Sequence, residues 1–400
     1  MKLRIYFEFY CVNGGLQLII VAVTNTNFLK DPIQAKAFYN EGAFVQTSKD
    51  SFKLFLGPFK SHASLESAQA EASSESEPIL YNSNFWDFLK NDVQKNAYFT
   101  ADYSFTTTRE QFFQFAGKSR REPLNRPTSI DKIDWQAPTK IEFKQQYDWL
   151  QEQISNGKLV KGLPIALTQS TANIASHLPT ILEKLTGAET ANFSYGFWNS
   201  TSGMVGYTPE ILSSWNKNNS ELTTMALAGT WRKNLSNTVP NFSDEKNKNE
   251  HNYVIQDILN QLKSFLLKHQ SDTTVVELPF LFHLKTNFTY FCDSIKKFVQ
   301  AIQLLHPTAA LGLFPRTLEL AQEFSQFEIQ KNRQQFGAPL GFISNTEGFM
   351  LVAIRNIMWS ADHVRLFAGC GVTNQSSFED EWQEILAKQD SVKKMLGVES

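Results

Sequence analysis

The stretch LGFISNTEGFMLVAIRNIMWSADHVRLFAG, residues 340–369, holds three apolar runs at 340–344, 349–359 and 363–368 with only short polar turns between them. Runs of this kind, bounded by Asn, Ser and Asp, read as successive strands. Working outward, helices are expected at 378–396, 316–328, 293–305, 244–269 and 176–187, and further strands at 274–285, 222–228, 203–207 and 192–199. Upstream again, Phe143, Tyr147, Leu150 and Ile154 recur at helical spacing in a helix that ends near Gly157. A strand carrying Leu159, Val160, Leu163, Ile165 and Leu167 follows. Runs of strands interrupted by helices, without βαβ alternation, give an α+β fold. The sequence has no internal repeat, GxGxxG, P-loop or nucleophile elbow.

Composition narrows the class. The 400 residues are 42% hydrophobic and 20% charged, enough for a sizeable core. A net charge of −2 gives no electrostatic basis for nucleic acid or a membrane as partner. Cys11, Cys292 and Cys370 stand apart, with neither a disulfide framework nor a zinc spacing, which fits a reducing cytoplasm. The apolar run Leu16–Val23 is shorter than the ~20 residues of a spanning helix and reads as a buried strand. Residues 1–10 contain Glu8 and lack a small-residue cleavage site, so no signal peptide is expected and the protein is placed in the cytoplasm. Residues 61–78, SHASLESAQAEASSESEP, lack apolar periodicity and read as a mobile loop. Pro123, Pro127 and Pro138 interrupt the polar stretch 119–140, which places a division near residue 138, between an N-terminal segment, residues 1–138, and a catalytic region, residues 139–400.

Several constellations carry possible chemistry. KNKNEH at 246–251 and EDEWQEILAK at 379–388 offer carboxylates from two helices, and Mg²⁺ takes one or two such ligands, leaving its other positions to water and an anion. On a helix, Glu381, Glu384 and Lys388 at i, i+3 and i+7 share a face; Glu384 and Lys388 are equally spaced as an ordinary surface ion pair. The glycine-rich strand end FAGCGV, 367–372, leads into this helix. Lys161 in LVKGLPIAL, turned inward, would be desolvated and available as a general base; turned outward it is a solvated strand lysine. Glu210 in YTPE, fixed behind Pro209, could protonate a leaving oxygen, although a solvated glutamate at a helix start is the commoner use of such a sequence. MALAGT, 225–230, lets a ligand approach the backbone at Gly229. His283 in FHLKT and Arg355 in VAIRN are polar groups inside apolar strands, and a buried Arg needs an anion.

The order and spacing of these pieces resemble the chorismate-binding enzymes, most closely the isochorismate synthases. The resemblance spans residues 140–397 and rests on Lys161, TPE with Glu210, ALAGT, KNKNEH with Glu250, HLKT, LHPTAALGLFPR at 305–316, NRQQFGAPLGF at 332–342, VAIRN, FAGCGV and EDEWQEILAK. It implies a single large domain of two packed antiparallel-rich sheets with outer helices, completed by the N-terminal segment. It further implies that Lys161 is the base activating water for attack at C2 of chorismate and that Glu210 is the acid protonating the departing C4 hydroxyl. Glu250 and Glu384 match Mg²⁺ ligands, with Glu381 assisting through water. Lys388, His283, Arg355 and the backbone at Gly229, Gly369 and Gly371 match the groups that hold the substrate.

Within the family, the resemblance is to the branch that uses water. Anthranilate and aminodeoxychorismate synthases commonly lack the base lysine or carry PIAG or PIKG where this chain has ALAG, so no amidotransferase subunit is expected. Salicylate synthases carry a threonine near Ala310. The chain is expected to act as a monomer on the small molecule chorismate, for menaquinone or siderophore synthesis. It departs from the family pattern at Leu313, where a glycine is usual, and at Trp231 and Lys233 after the AGT motif.

Overall fold

In a computed structural model, residues 5–12, 15–22, 32–72, 77–90, 97–118, 132–187, 192–232, 245–277 and 281–399 are described. Sixteen of the described strands join in one sheet, and Ile5–Val12 pairs separately with Gly15–Ala22. From one edge the path runs Leu267–Gln270, Leu281–Phe291, Glu221–Arg232, Ile211–Asn216, Glu347–Val352, Pro339–Ile343 and Ile79–Asn82. It continues through Tyr98–Thr108, Ser51–His62, Gly42–Ser48, Phe193–Trp198, Gly203–Thr208, Asn356–Trp359 and Val364–Gly369 to Ile165–Ser170. The neighbours pair antiparallel throughout.

The fold is α+β with antiparallel-rich layers, as expected, but the layers are hydrogen-bonded into one continuous path. Ala226 and Ala228 near one end share a core cluster with Leu163, Ile165 and Phe367 near the other. The sheet therefore doubles back, and its two ends meet across that core. Strands from the N-terminal segment, within residues 42–108, occupy the middle of the path.

Helices cover the outside. Glu245–Gln261 packs on Glu221–Arg232, and Phe378–Leu396 packs on Val364–Gly369. The second is fixed at both ends: Ser377 Oγ accepts from the Asp380 N–H, three acidic residues fill the first turn, and Gly397 closes it at φ +68°. That capping sets the rotation at which Glu381 and Glu384 leave the helix.

Five boundaries differ from the sequence reading. The strand expected at 274–285 is two, Thr274–Glu277 and Leu281–Phe291, paired antiparallel. The helix expected over 244–269 ends at Gln261, and Leu267–Gln270 is an edge strand against Leu281–Phe291. The run 316–328 breaks into Leu318–Phe324 and Glu328–Lys331. The single strand expected at 349–359 is two: Arg355 has φ +54°, and the chain switches partners there, from Ile211–Asn216 to Gly203–Thr208. Inside 61–78, read as a loop, residues Leu65–Glu71 form a helix with a Ser64/Ser67 capping box. Leu16–Val23 does fall on a strand, Gly15–Ala22, whereas its burial, residues 119–131 and Lys233 lie outside the described residues. Among the described residues, no helix is long and apolar enough to cross a membrane.

Candidate active site

Lys161 lies where the chain makes an isolated bridge to Phe314, next to Gly162 bridging Val372, before the continuous strand begins at Ile165. Its side chain points inward and is fully buried. Nζ donates to Ala309 O at 2.7 Å and stands 3.3 Å from Glu250 Oε1 on the Glu245–Gln261 helix. Gly371 makes this meeting possible, since a Cβ there would stand 2.7 Å from Lys161 Cε and would overlap Glu250 Oε1.

Glu210 occupies the turn between Gly203–Thr208 and Ile211–Asn216, not a helix start. Its N–H donates to Thr208 Oγ1 at 3.2 Å and its carbonyl accepts from the Val352 N–H at 3.1 Å, so the backbone is held from both sides. The residue is 4% exposed. Burial pushes its carboxyl up to about 7, against the opposing pull of Lys161 and Arg355.

His283, on Leu281–Phe291, faces Thr230 Oγ1 at 3.2 Å through Nδ1 and the Arg355 guanidinium at 3.4 Å through Nε2. Burial, reinforced by the Arg355 and Lys388 cations, holds the imidazole well below its ordinary value, so it is neutral. The positive φ of Arg355 turns its side chain out of the strand path toward this group. A register shift between Ala228 and Thr230 centres on Gly229 at φ +77°, where a Cβ would stand 2.7 Å from Asn247 O. Asn247 Oδ1 in turn accepts from the Thr230 N–H at 2.8 Å, locking the helix to the bulge.

Lys388 Nζ donates to Gly369 O at 2.8 Å and pairs with Glu384 at 2.7 Å. The i, i+4 ion pair thus exists, but its lysine is anchored to the strand end, so it belongs to the site wall as well. Glu381, 2% exposed, pairs with Lys246 at 2.8 Å. Burial and the neighbouring Glu384 carboxylate raise the Glu381 carboxyl, while Lys246 lowers it.

One cleft collects Glu210, Glu250, His283, Arg355, Gly369, Gly371, Glu384 and Lys388. Leu163, Ala310, Leu311, Phe336 and Phe367 supply its apolar wall. Lys161, Glu381 and Gly229 do not line this cleft: Lys161 meets it through Glu250 and Gly371, and Glu381 pairs with Lys246. A cationic end, an acidic end and a buried carboxyl surround an apolar middle, which suits a small molecule with an apolar body and anionic groups.

A family model described as chorismate binding enzyme matches residues 88–397. The chain belongs to the chorismate-binding enzymes. The matched region starts at residue 88, upstream of the division placed near 138. Isochorismate synthase EntC of Escherichia coli K12 is 26% identical over 288 residues, which is 69% of this chain and 72% of that one. Isochorismate synthase MenF of the same organism is 30% identical over 218 residues, 51% of this chain and 48% of its own. Among solved structures, the menaquinone-specific isochorismate synthase MenF from Escherichia coli matches with a TM-score of 0.69 at 20% identity, over 99% of this chain and 95% of that chain. Anthranilate synthase component I from Streptococcus pneumoniae matches with a TM-score of 0.59 at 14% identity, over 98% and 90%. Both show the fold shared among chorismate-binding enzymes.

Sequence reasoning passes over Lys246, Thr230 and Asn247. Lys246 is accessible to it in principle, because it stands four residues before Glu250 on the same helix face. Thr230 and Asn247 give no local signal. Leu313, where a glycine is expected, is buried in the cluster around Leu150 and Leu159, so the departure is absorbed by packing.

Proposed function

We propose that this chorismate-binding enzyme is an isochorismate synthase, reversibly converting chorismate to isochorismate by adding water at C2 and losing the C4 hydroxyl. The observation that carries the reading is Glu210: a carboxyl on the cleft wall, raised by burial to about 7, is a competent proton donor at neutral pH. The isochorismate synthases among its relatives support the same reaction class.

In this reading, Arg355 and Lys388 hold the substrate carboxylates, and neutral His283, whose Nε2 accepts from Arg355 while its Nδ1–H meets Thr230, steadies that guanidinium without adding charge. Lys161 takes a proton from the attacking water. A base needs a free lone pair, so the proton it shares with Glu250 has to be gone before it can act. The new C2–O bond forms as the ring double bonds shift, and the C4–O bond breaks as Glu210 delivers its proton. A molecule of water enters and another leaves. In reverse, the two groups exchange roles.

Mg²⁺ fits this site by donor chemistry. Glu250 and Glu384 are hard oxygen donors on one cleft, and the mutual repulsion of Glu384 and Glu381 is what a cation relieves. As the side chains stand, each carboxylate faces an ammonium, and among the described residues no three His, Cys, Asp or Glu side chains lie close enough together to hold an ion. Glu250 and Glu384, with Glu381 through water, would hold Mg²⁺ in competition with these lysines. When bound, it supplies a Lewis acid and counter-charge for a substrate carboxylate.

The test is incubation of purified protein with chorismate and Mg²⁺, followed by separation of products. Isochorismate is expected as the sole product, in equilibrium with chorismate. Salicylate with pyruvate, or an aminated product when ammonium is added, places the chain in a lyase branch instead.

A further inference from the structure

The helix that delivers Glu250 carries a second carboxylate on the same face, two turns further on. This is Asp257, which is fully buried and does not line the cleft. Its Oδ2 accepts from the Ala309 N–H at 2.8 Å and from Arg316 Nη2 at 2.6 Å, while Oδ1 takes a long bond from Gln261 Nε2 at 3.5 Å. Arg316 also donates to Leu304 O at 2.8 Å and Leu305 O at 3.0 Å, the last carbonyls of the Ile295–Leu305 helix. The segment from Leu305 to Arg316 is thereby gathered onto one carboxylate of the Glu245–Gln261 helix.

That segment holds Lys161 by backbone and side chain together. Phe314 O accepts from the Val160 and Lys161 N–H groups at 2.8 and 3.2 Å, and the Phe314 N–H donates to Lys161 O at 2.9 Å. Ala309 O accepts from Lys161 Nζ at 2.7 Å. Asp257 thus fixes the N–H of the residue whose carbonyl receives the lysine. A buried ion pair is weak grounds for stability, but its directional bonds fix geometry. A lysine stem is long and flexible, so its ammonium needs such a stop.

We propose that Asp257 is a positioning residue for the base: through Ala309 it sets where Lys161 Nζ stands relative to Glu250 and the cleft. The inference rests on the base role proposed for Lys161. Because Asp257 and Glu250 ride on one helix, the base and the carboxylate it faces are placed from a common reference. Ala310 and Leu311, which follow directly, line the cleft, so a general loosening of the segment would disturb substrate binding as well.

Two doubly substituted proteins isolate the link, because each removes the ion pair whole and leaves no buried charge unmatched. Asp257→Asn with Arg316→Met keeps an accepting oxygen opposite the Ala309 N–H, and Asp257→Ala with Arg316→Met removes it. In steady-state conversion of chorismate, kcat of the second should lie about tenfold or more below the first, with KM within about twofold. In a Lys161→Ala background the two should turn over alike, since no ammonium is left to place. If the alanine protein fails to fold, Asp257→Glu takes its place: it keeps both charges, moves the acceptor by one methylene, and should lower kcat in the same Lys161-dependent way. Equal kcat in the paired proteins overturns the proposal. So does a loss that persists in the Lys161→Ala background or appears mainly in KM, for the segment then has only a structural role. Lys161→Ala turning over at the parent rate is a separate result, which removes the base assignment itself and this inference with it.

Discussion

At Glu210 the turn between two strands carries a carboxyl into the interior, and its free-energy consequences have a definite sign. The folded-state value of about 7 lies above the ordinary 4.5, so the native state holds the proton more tightly than the unfolded chain does. Stability therefore falls as pH rises from 4.5 to 7, with no difference below that window. Glu210→Gln should gain about 3 kcal/mol over the parent above pH 7 and nothing at pH 4, which denaturant titrations at the two pH values will show. The same proton gives kcat/KM a descending limb as pH rises through about 7, and the residual activity of Glu210→Gln should lack it. Lys161→Ala and Glu210→Gln should each lower kcat by ~10²–10⁴-fold with chorismate binding retained. Gly371→Ala forces a methyl between Lys161 and Glu250. Its kcat should drop by about 10-fold or more with the far-UV circular dichroism unchanged, because the displaced pair is the proposed base and a proposed metal ligand.

At the level of elements, the decisive joint is between two helices. Lys246 on Glu245–Gln261 reaches Glu381 on Phe378–Leu396, 135 residues further along the chain. Lys246→Met leaves the buried Glu381 carboxylate without its counter-charge and should destabilise by roughly 1–3 kcal/mol, less than a fully buried pair because the Lys246 side chain is 35% exposed. Adding Glu381→Leu should restore most of that, and a double-mutant cycle followed by urea unfolding reads the coupling directly. The two helices also show what a sequence discloses. Phe378–Leu396 is legible to the residue because Trp382, Ile385, Val392 and Leu396 form one stripe and Ser377 caps it. The other helix reads too far because Leu262 and Phe265 continue the apolar pattern after the backbone has left the helix. Leu65–Glu71 escapes detection because Leu65 and Ala68 are its only buried residues, too narrow a stripe for periodicity to reveal. The strand 349–359 reads as unbroken because β propensity does not sense the φ reversal at Arg355. Among site residues, those in motifs are visible as chemistry, but which way Lys161 faces and whom Lys246 meets depend on tertiary packing alone.

For the molecule as a whole, the site lies where the two ends of one folded sheet come together, under two helices that carry its carboxylates. Removing divalent metal with a chelator should abolish turnover, and restoring Mg²⁺ should both recover it and raise Tm, since an ion held only by the native state stabilises by mass action. Undiminished turnover in excess chelator removes the metal from the assignment. The path from Lys161 to Lys388 also has a consequence for how the activity is born. A nascent chain that has emerged as far as Gly371 has paired the last strand, yet it still lacks Glu384 and Lys388 and the helix that closes the cleft. On the roles proposed for Glu384 and Lys388, such an intermediate should not capture chorismate, and a protease that clips the Phe378–Leu396 helix from a finished molecule should switch off catalysis.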